Sequence, residues 1–287
     1  MELTPAEALK RQAAERALEY VESGMVLGLG TGSTVAHFLD LLATKLSQGA
    51  LSDIVGVPTS IWTGREARKA GIELIGLADR AKVDLTVDGA DEVSPDLDLI
   101  KGMGGALLRE KMVAQASHHV VIIADGSKAV EGLGTLSPLP VEVVEWASGT
   151  HARFLEGLGA EVKTRWSDDV LPLRSDNGNL LLDCRFLEGI DDPAGLDAAL
   201  QGSAVVIETG FFLGIAVAFL QLANQFLMIA FDLIEVVIGQ LAPLHLGFAL
   251  DLFPVTLDLI PVHNITPILC GVSTPRPRTL RCLGDKT

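Results

Sequence analysis

The chain has 287 residues, room for two domains at ~150 residues each, which excludes a peptide or a disulfide-stapled mini-protein. Its 22 Lys and Arg against 37 Asp and Glu leave a formal net charge of −15, which repels a phosphate backbone, so nucleic acid is not expected as a partner. The three cysteines, Cys184, Cys270 and Cys282, form no CxxC or Cys/His cluster; neither a disulfide framework nor a zinc site is expected, and a reducing, cytoplasmic setting fits.

The opening MELTPAEALKRQAAERALEYV has the pattern of an amphipathic helix and lacks the apolar core of an export signal. Apolar, β-branched runs then fall at 25–29, 54–57, 83–87 and 120–124, alternating with helical stretches at 34–47, 62–70 and 105–116. That rhythm predicts a parallel sheet covered by helices, in which ligands bind beyond the carboxyl ends of the strands. Polar groups gather at those ends: Gly30-Thr31-Gly32-Ser33-Thr34, Pro58-Thr59-Ser60, Asp88-Gly89-Ala90-Asp91 and Asp125-Gly126-Ser127-Lys128. From 131 to 207 the order becomes strand 141–146, helix 150–158, strands 161–166 and 179–184, helix 192–200 and strand 204–208, the sequence of a ferredoxin-like unit. The expected fold is α/β: a Rossmann-like parallel-sheet domain over 1–130, with 208–214 returning to it, an inserted ferredoxin-like α+β domain over 131–207, and an atypical apolar tail over 215–287.

The loop GLGTGST (28–34) follows a strand and opens a helix, so its backbone N–H groups suit a phosphate monoester, with Thr31, Ser33 and Thr34 adding hydroxyls. It is neither a dinucleotide fingerprint, since Ser33 stands where that pattern needs glycine, nor a Walker A loop, which needs lysine. An ordinary glycine-rich turn is the alternative. Asp88 and Asp91 flank a Gly-Ala turn; two carboxylates held close can relay protons, although Asp-Gly is also common turn chemistry and oxygen ligands would suit magnesium. In Lys101-Gly-Met-Gly-Gly-Ala-Leu-Leu-Arg-Glu-Lys111 a cation and three glycines precede a helix beginning near Gly105, with Glu110 about one and a half turns in. Leu108 and Met112 are expected to pack on the sheet. Glu110 then faces the rim as a carbon-acid base or joins Arg109 and Lys111 in a surface charge cluster. His118 and His119 are read as ending a helix, and Trp62, Trp146 and Trp166 as core or interface.

GLGTGST, PTS, DGADE, KGMGGALLREK and ADGSK, in this order and spacing, resemble the A-type ribose-5-phosphate isomerases from about Lys10 to Gly214, ending in ETGFFLG at 208–214. The resemblance implies interconversion of ribose 5-phosphate and ribulose 5-phosphate through an enediol, in the non-oxidative pentose phosphate pathway, with no metal or organic cofactor. It implies Glu110 as the base, Asp88 and Asp91 as aids to ring opening and hydroxyl proton transfer, and Lys101 as the group that holds sugar hydroxyls or steadies developing negative charge. Lys10, Thr31, Gly32, Ser33, Thr34, Gly89, Gly104 and Lys128 complete the implied contacts to a small sugar phosphate. A homo-oligomer, dimer or tetramer, is implied as well. The competing reading is a sugar-phosphate sensor, which would not need Glu110 with Asp88 and Asp91, and no DNA-binding segment is expected ahead of the domain.

After Gly214 the composition changes: nine of the 59 charged residues lie there, and 209–231 carries no charge. A change of reading frame is the favoured account, against a fusion or a membrane anchor; Gln221, Asn224 and Gln225 weaken the anchor, and no membrane partner is expected.

Overall fold

The computed structural model describes residues 4–79, 82–146, 148–167, 171–216 and 218–220. Helix α1 (Pro5–Ala17) opens with Pro5 at its first position and the Thr4 hydroxyl accepting from the Glu7 N–H, two features that favour a helix start. The chain then runs through β1 (Val26–Leu29), α2 (Ser33–Ser47), β2 (Val55–Pro58), α3 (Ile61–Lys69), β3 (Glu73–Leu74) and β4 (Val83–Asp88). A short antiparallel ribbon, β5 (Glu92–Val93) with β6 (Leu99–Ile100), leads to α4 (Leu107–Gln115) and β7 (Ser117–Ile123). Next come β8 (Leu139–Val143), α5 (Ser148–Gly157), β9 (Glu161–Thr164), β10 (Leu180–Arg185), α6 (Pro193–Gln201), β11 (Val206–Thr209), β12 (Phe211–Phe212) and β13 (Ala218–Leu220).

Three sheets result. The first is parallel throughout, in the order β13-β7-β4-β1-β2-β3. Its centre is buried on both faces, which is why VLGL and VDLTVD read as nearly continuous apolar runs rather than alternating ones. Leu27, Leu29, Leu85 and Val87 pack there against Val35, Phe38, Leu39 and Leu42 of α2 and the alanines of α1. The second sheet, ordered β11-β8-β10-β9 and antiparallel, has β10 inserted between β8 and β9, the arrangement of a split βαβ unit. In the third, β12 adds to β6 and so ties the chain after the second sheet to the ribbon that carries Lys101.

Four expectations are corrected. His118 and His119 lie in β7, where His119 pairs with Leu85 of β4: the strand starts earlier than its apolar run because its first residues sit at the exposed rim of the sheet and tolerate polar side chains. Helix α4 starts at Leu107, after Gly105 with φ +79°, so Glu110 lies in its first turn. Leu107, Glu110, Lys111 and Ala114 are the buried face at spacing i, i+3, i+4, i+7, whereas Met112 is about half exposed. Trp62, Trp146 and Trp166 all lie outside the core, Trp146 at 85% exposure.

The chain also stays with the parallel sheet beyond Gly214, since Ala218–Leu220 run parallel to Val121–Ile123 of β7. No helix among the described residues is long and apolar enough to cross a membrane. The uncharged run continues past 220, and the frame-change, fusion and anchor readings fall outside the described residues. Phe38 has no exposed surface and fills the space between α2 and the sheet; Phe38→Ala is expected to lower stability by about 3–5 kcal/mol in urea denaturation.

Candidate active site

A cavity of about 430 Å³ opens where β1, β4 and β7 end, at the carboxyl rim of the parallel sheet. Lys10, Thr31, Gly32, Ser33, Thr34, Gly89, Asp91, Lys101, Gly104, Glu110 and Lys128 all line it. Of the residues to which the resemblance gives a role or a substrate contact, Asp88 alone does not line it, its carboxylate lying 3.0 Å from Lys101 Nζ.

One side of the cavity is the start of α2. Gly32, its cap residue, has φ +126°, a conformation that L side chains rarely adopt, and offers no side chain to cap the helix. The first N–H groups of α2 therefore have neither an intrahelical carbonyl nor a cap, and Ser33, Thr34 and Val35 present them at the cavity. Lys10 reaches over from α1, its Nζ 3.0 Å from Ser33 Oγ and 2.9 Å from Glu7 Oε1. Glu7 is bound in turn to His37 Nε2 at 2.6 Å. Lys128 and the Asp125-Ser127 turn close the far side. The hydroxyl of Thr31, expected to be free like those of Ser33 and Thr34, is instead engaged by Thr59, Ser60 and Thr63.

The other side is a buried charge cluster. Lys101 Nζ lies 3.0 Å from Asp88 Oδ2, 3.1 Å from Glu110 Oε2 and donates to Gly89 O at 2.6 Å. Lys101, Asp88 and Glu110 are each at most 3% exposed. Four segments position the cation. Asp91 N and Lys101 N donate to Ile100 O and Gly210 O, Gly210 N donates to Pro140 O, and Phe212 sets its ring 5.3 Å below the ammonium. Asp88 is fixed by Thr31 N and Gly89 N, both donating to Oδ1, and Asp91 by Met103 N donating to Oδ2. Gly30 is required because a Cβ there would lie 2.2 Å from Asp88 Oδ1.

Glu110 Oε2 is buried against Lys101 Nζ at 3.1 Å without a well-formed hydrogen bond, and Glu110 is itself part of the cavity lining. Burial, reinforced by the charge of Asp88, pushes its pKa up to about 8 against the pull of Lys101. Burial by itself would lower the Lys101 pKa, but Asp88 and Glu110 together hold it above the ordinary lysine value. A base titrating near neutrality beside a fixed cation suits removal of a proton from carbon. The surface-cluster alternative for Arg109, Glu110 and Lys111 is excluded for two of the three, since Lys111 is also buried, bound to Glu208 Oε1 at 2.6 Å and to Thr209 O at 2.9 Å.

Residues 55–225 match the family model for ribose 5-phosphate isomerase A (phosphoriboisomerase A). The chain belongs to this family. The ribose-5-phosphate isomerase A of Desulfatibacillum aliphaticivorans is 50% identical over 212 residues, which cover 74% of this chain and 92% of that one. Among solved structures, a D-ribose-5-phosphate isomerase in complex with phospho-erythronic acid superposes with a TM-score of 0.73 at 38% identity, covering 76% of this chain and 96% of that one. The ribose 5-phosphate isomerase of Plasmodium falciparum does so with a TM-score of 0.72 at 35% identity, covering 77% and 100%. The family match runs past Gly214, as the pairing of β13 with β7 does.

Sequence reasoning missed the second layer of this isomerase-family site: Phe212, Lys111 with Glu208, and the hydroxyls of Thr59, Ser60 and Thr63. Only the last carried a signal, the PTS segment at a strand end. The raised Glu110 pKa has a thermodynamic counterpart. Between its unfolded value of 4.5 and about 8, folded Glu110 keeps a proton that the unfolded chain has shed, so its contribution to stability falls as pH rises through that window. Glu110→Gln never ionises and is expected to flatten the fall by up to about 1.4 kcal/mol per pH unit, read from urea midpoints across the same range.

Proposed function

We propose that the chain interconverts D-ribose 5-phosphate and D-ribulose 5-phosphate, an aldose–ketose isomerisation through an enediolate. The observation that carries the reading is a buried Glu110 on the cavity wall, set 3.1 Å from the Lys101 ammonium, in a cavity that is also lined by an uncapped helix start. The substrate phosphate lies on the N–H groups of residues 32–34, with Lys10 and Lys128 adding positive charge; the bound phosphorylated sugar acid in the solved relative supports a guest of this class. Anchoring the phosphate positions C1 and C2 beside Glu110. Glu110 takes the proton from C2 of the open-chain aldose and delivers it to C1, while Lys101 stabilises the negative charge that develops on oxygen. Asp91, on the cavity wall, serves ring opening and proton transfer between hydroxyls. Asp88 completes that carboxylate pair and holds Lys101 in place. No step calls on a metal or an organic cofactor.

The same reading carries a cytoplasmic setting in the non-oxidative pentose phosphate pathway and a homo-oligomeric assembly. It treats 1–130 with 208–214 as the catalytic domain and 131–207 as a supporting one.

Formation of ribulose 5-phosphate by the full chain, with chelator present, tests the proposal. Glu110→Gln is expected to lower kcat/KM by about 10³-fold or more while leaving phosphate binding in place, within the range that a positioned base supplies. Because the base must be ionised and burial raises its pKa, kcat/KM rises with pH along an acidic limb well above the ordinary carboxylate range, and Lys101 stays charged throughout. A folded wild-type chain without turnover would overturn the reading.

A further inference from the structure

The Pro58-Thr59-Ser60 segment stands at a strand end without a part in the chemistry above. Its side chains turn away from the cavity. Thr59, Ser60 and, one turn into α3, Thr63 are buried, and their oxygens lie 2.8, 2.9 and 3.0 Å from the single hydroxyl of Thr31.

Following the protons gives this cluster a direction. Thr59 Oγ1 donates to Leu29 O at 3.0 Å and Thr63 Oγ1 to Gly30 O at 2.7 Å, the two carbonyls that lead into the phosphate loop. Ser60 Oγ donates to Thr63 Oγ1 at 2.9 Å while accepting from Thr63 N at 2.9 Å. The remaining acceptor position on Ser60 takes the proton of Thr31 at 2.9 Å. A hydroxyl has one proton. That of Thr31 is committed inside the protein, and Thr31 N is likewise committed to Asp88 Oδ1. What Thr31 turns toward the cavity is its methyl group, 3.8 Å from where a Cβ at Gly104 would lie.

We infer that Thr31 does not donate to the substrate phosphate, and that Thr59, Ser60 and Thr63 are positioning residues that clamp the phosphate loop through the Thr31 hydroxyl. The chain Thr31, Ser60, Thr63, Gly30 ties two consecutive residues of the loop, just before the start of α2, to the first turn of α3, so the N–H groups of residues 32–34 are held in place before any ligand arrives. Such preorganisation shows in binding, because the cost of ordering the loop has already been met in the free protein. The inference rests on the isomerase reading only in taking this loop as the phosphate site.

Thr63→Val keeps the side-chain volume and removes the hydroxyl; Thr63→Ser keeps the hydroxyl. In Thr63→Val we expect weaker binding of inorganic phosphate by calorimetry and a KM for ribose 5-phosphate raised about tenfold, with kcat within about twofold, the scale of one or two lost hydrogen bonds. Thr63→Ser restores both. Thr31→Val shows the same loss, and the double variant Thr31→Val/Thr63→Val is no worse than either single one, because both remove the same chain of bonds. Losses that multiply in the double variant, or a loss in Thr31→Val with none in Thr63→Val, would show the Thr31 hydroxyl acting on the ligand by itself and overturn the inference. So would a fall in kcat at unchanged KM. Phosphate binding needs no turnover, so a chain that binds phosphate without isomerising sinks the isomerase reading and leaves this one to stand on the calorimetry.

Discussion

An ammonium group buried to 3% exposure and held between two carboxylates is the constraint around which this molecule is arranged. A buried cation without partners costs several kcal/mol or neutralises, so Lys101 is stable as a charge only while Asp88 and Glu110 stand within 3.1 Å of it. Each of the three comes from a different element: the end of β4, the end of the β5–β6 ribbon and the first turn of α4. The parallel sheet, the ribbon and the helix must therefore meet at one point, and the glycines at 30 and 210 allow their backbones to come close enough.

The same arrangement divides the labour of the cavity. Asp88 has both oxygens engaged, by two backbone N–H groups and Lys101, which fixes its position. Glu110 faces the same cation, but burial holds its pKa up and its Oε2 has no well-formed hydrogen bond. Two carboxylates on one cation thus differ in what surrounds them: Asp88 is tied at both oxygens, and Glu110 carries a pKa raised by burial.

The sheet was legible because its strands are buried on both faces and read as apolar runs; β1, β4 and β7 fall where VLGL, VDLTV and VVII stand. The ferredoxin-like order was legible from the spacing of its strands and helices, although β9 is not buried on both faces. The site was legible as a set of motifs but not as an arrangement. Arg-Glu-Lys on a nine-residue helix has the local composition of a solvated face, and nothing nearby in sequence reveals that Glu208, Thr209 and Phe212, about a hundred residues on, cover Lys111, or that Lys101 pairs with Glu110. His118 and His119 misled because their polarity marks the exposed start of a strand rather than the end of a helix. Thr59 and Ser60 were legible only as polar residues at a strand end, since the partner that gives them meaning, Thr31, lies on another strand end.

Phe212 places one aromatic ring within 5.3 Å of the Lys101 ammonium and 5.1 Å of the Lys111 ammonium. A ring carries no net charge, yet its quadrupole sets part of the potential that both cations feel. Altering only the shape or electron density of this side chain would therefore behave as an electrostatic perturbation delivered by a neutral residue, felt at once in the chemistry of the cavity through Lys101 and in the anchoring of β11 through Lys111 and Glu208. Two buried ammonium groups on different elements thus share a single aromatic neighbour.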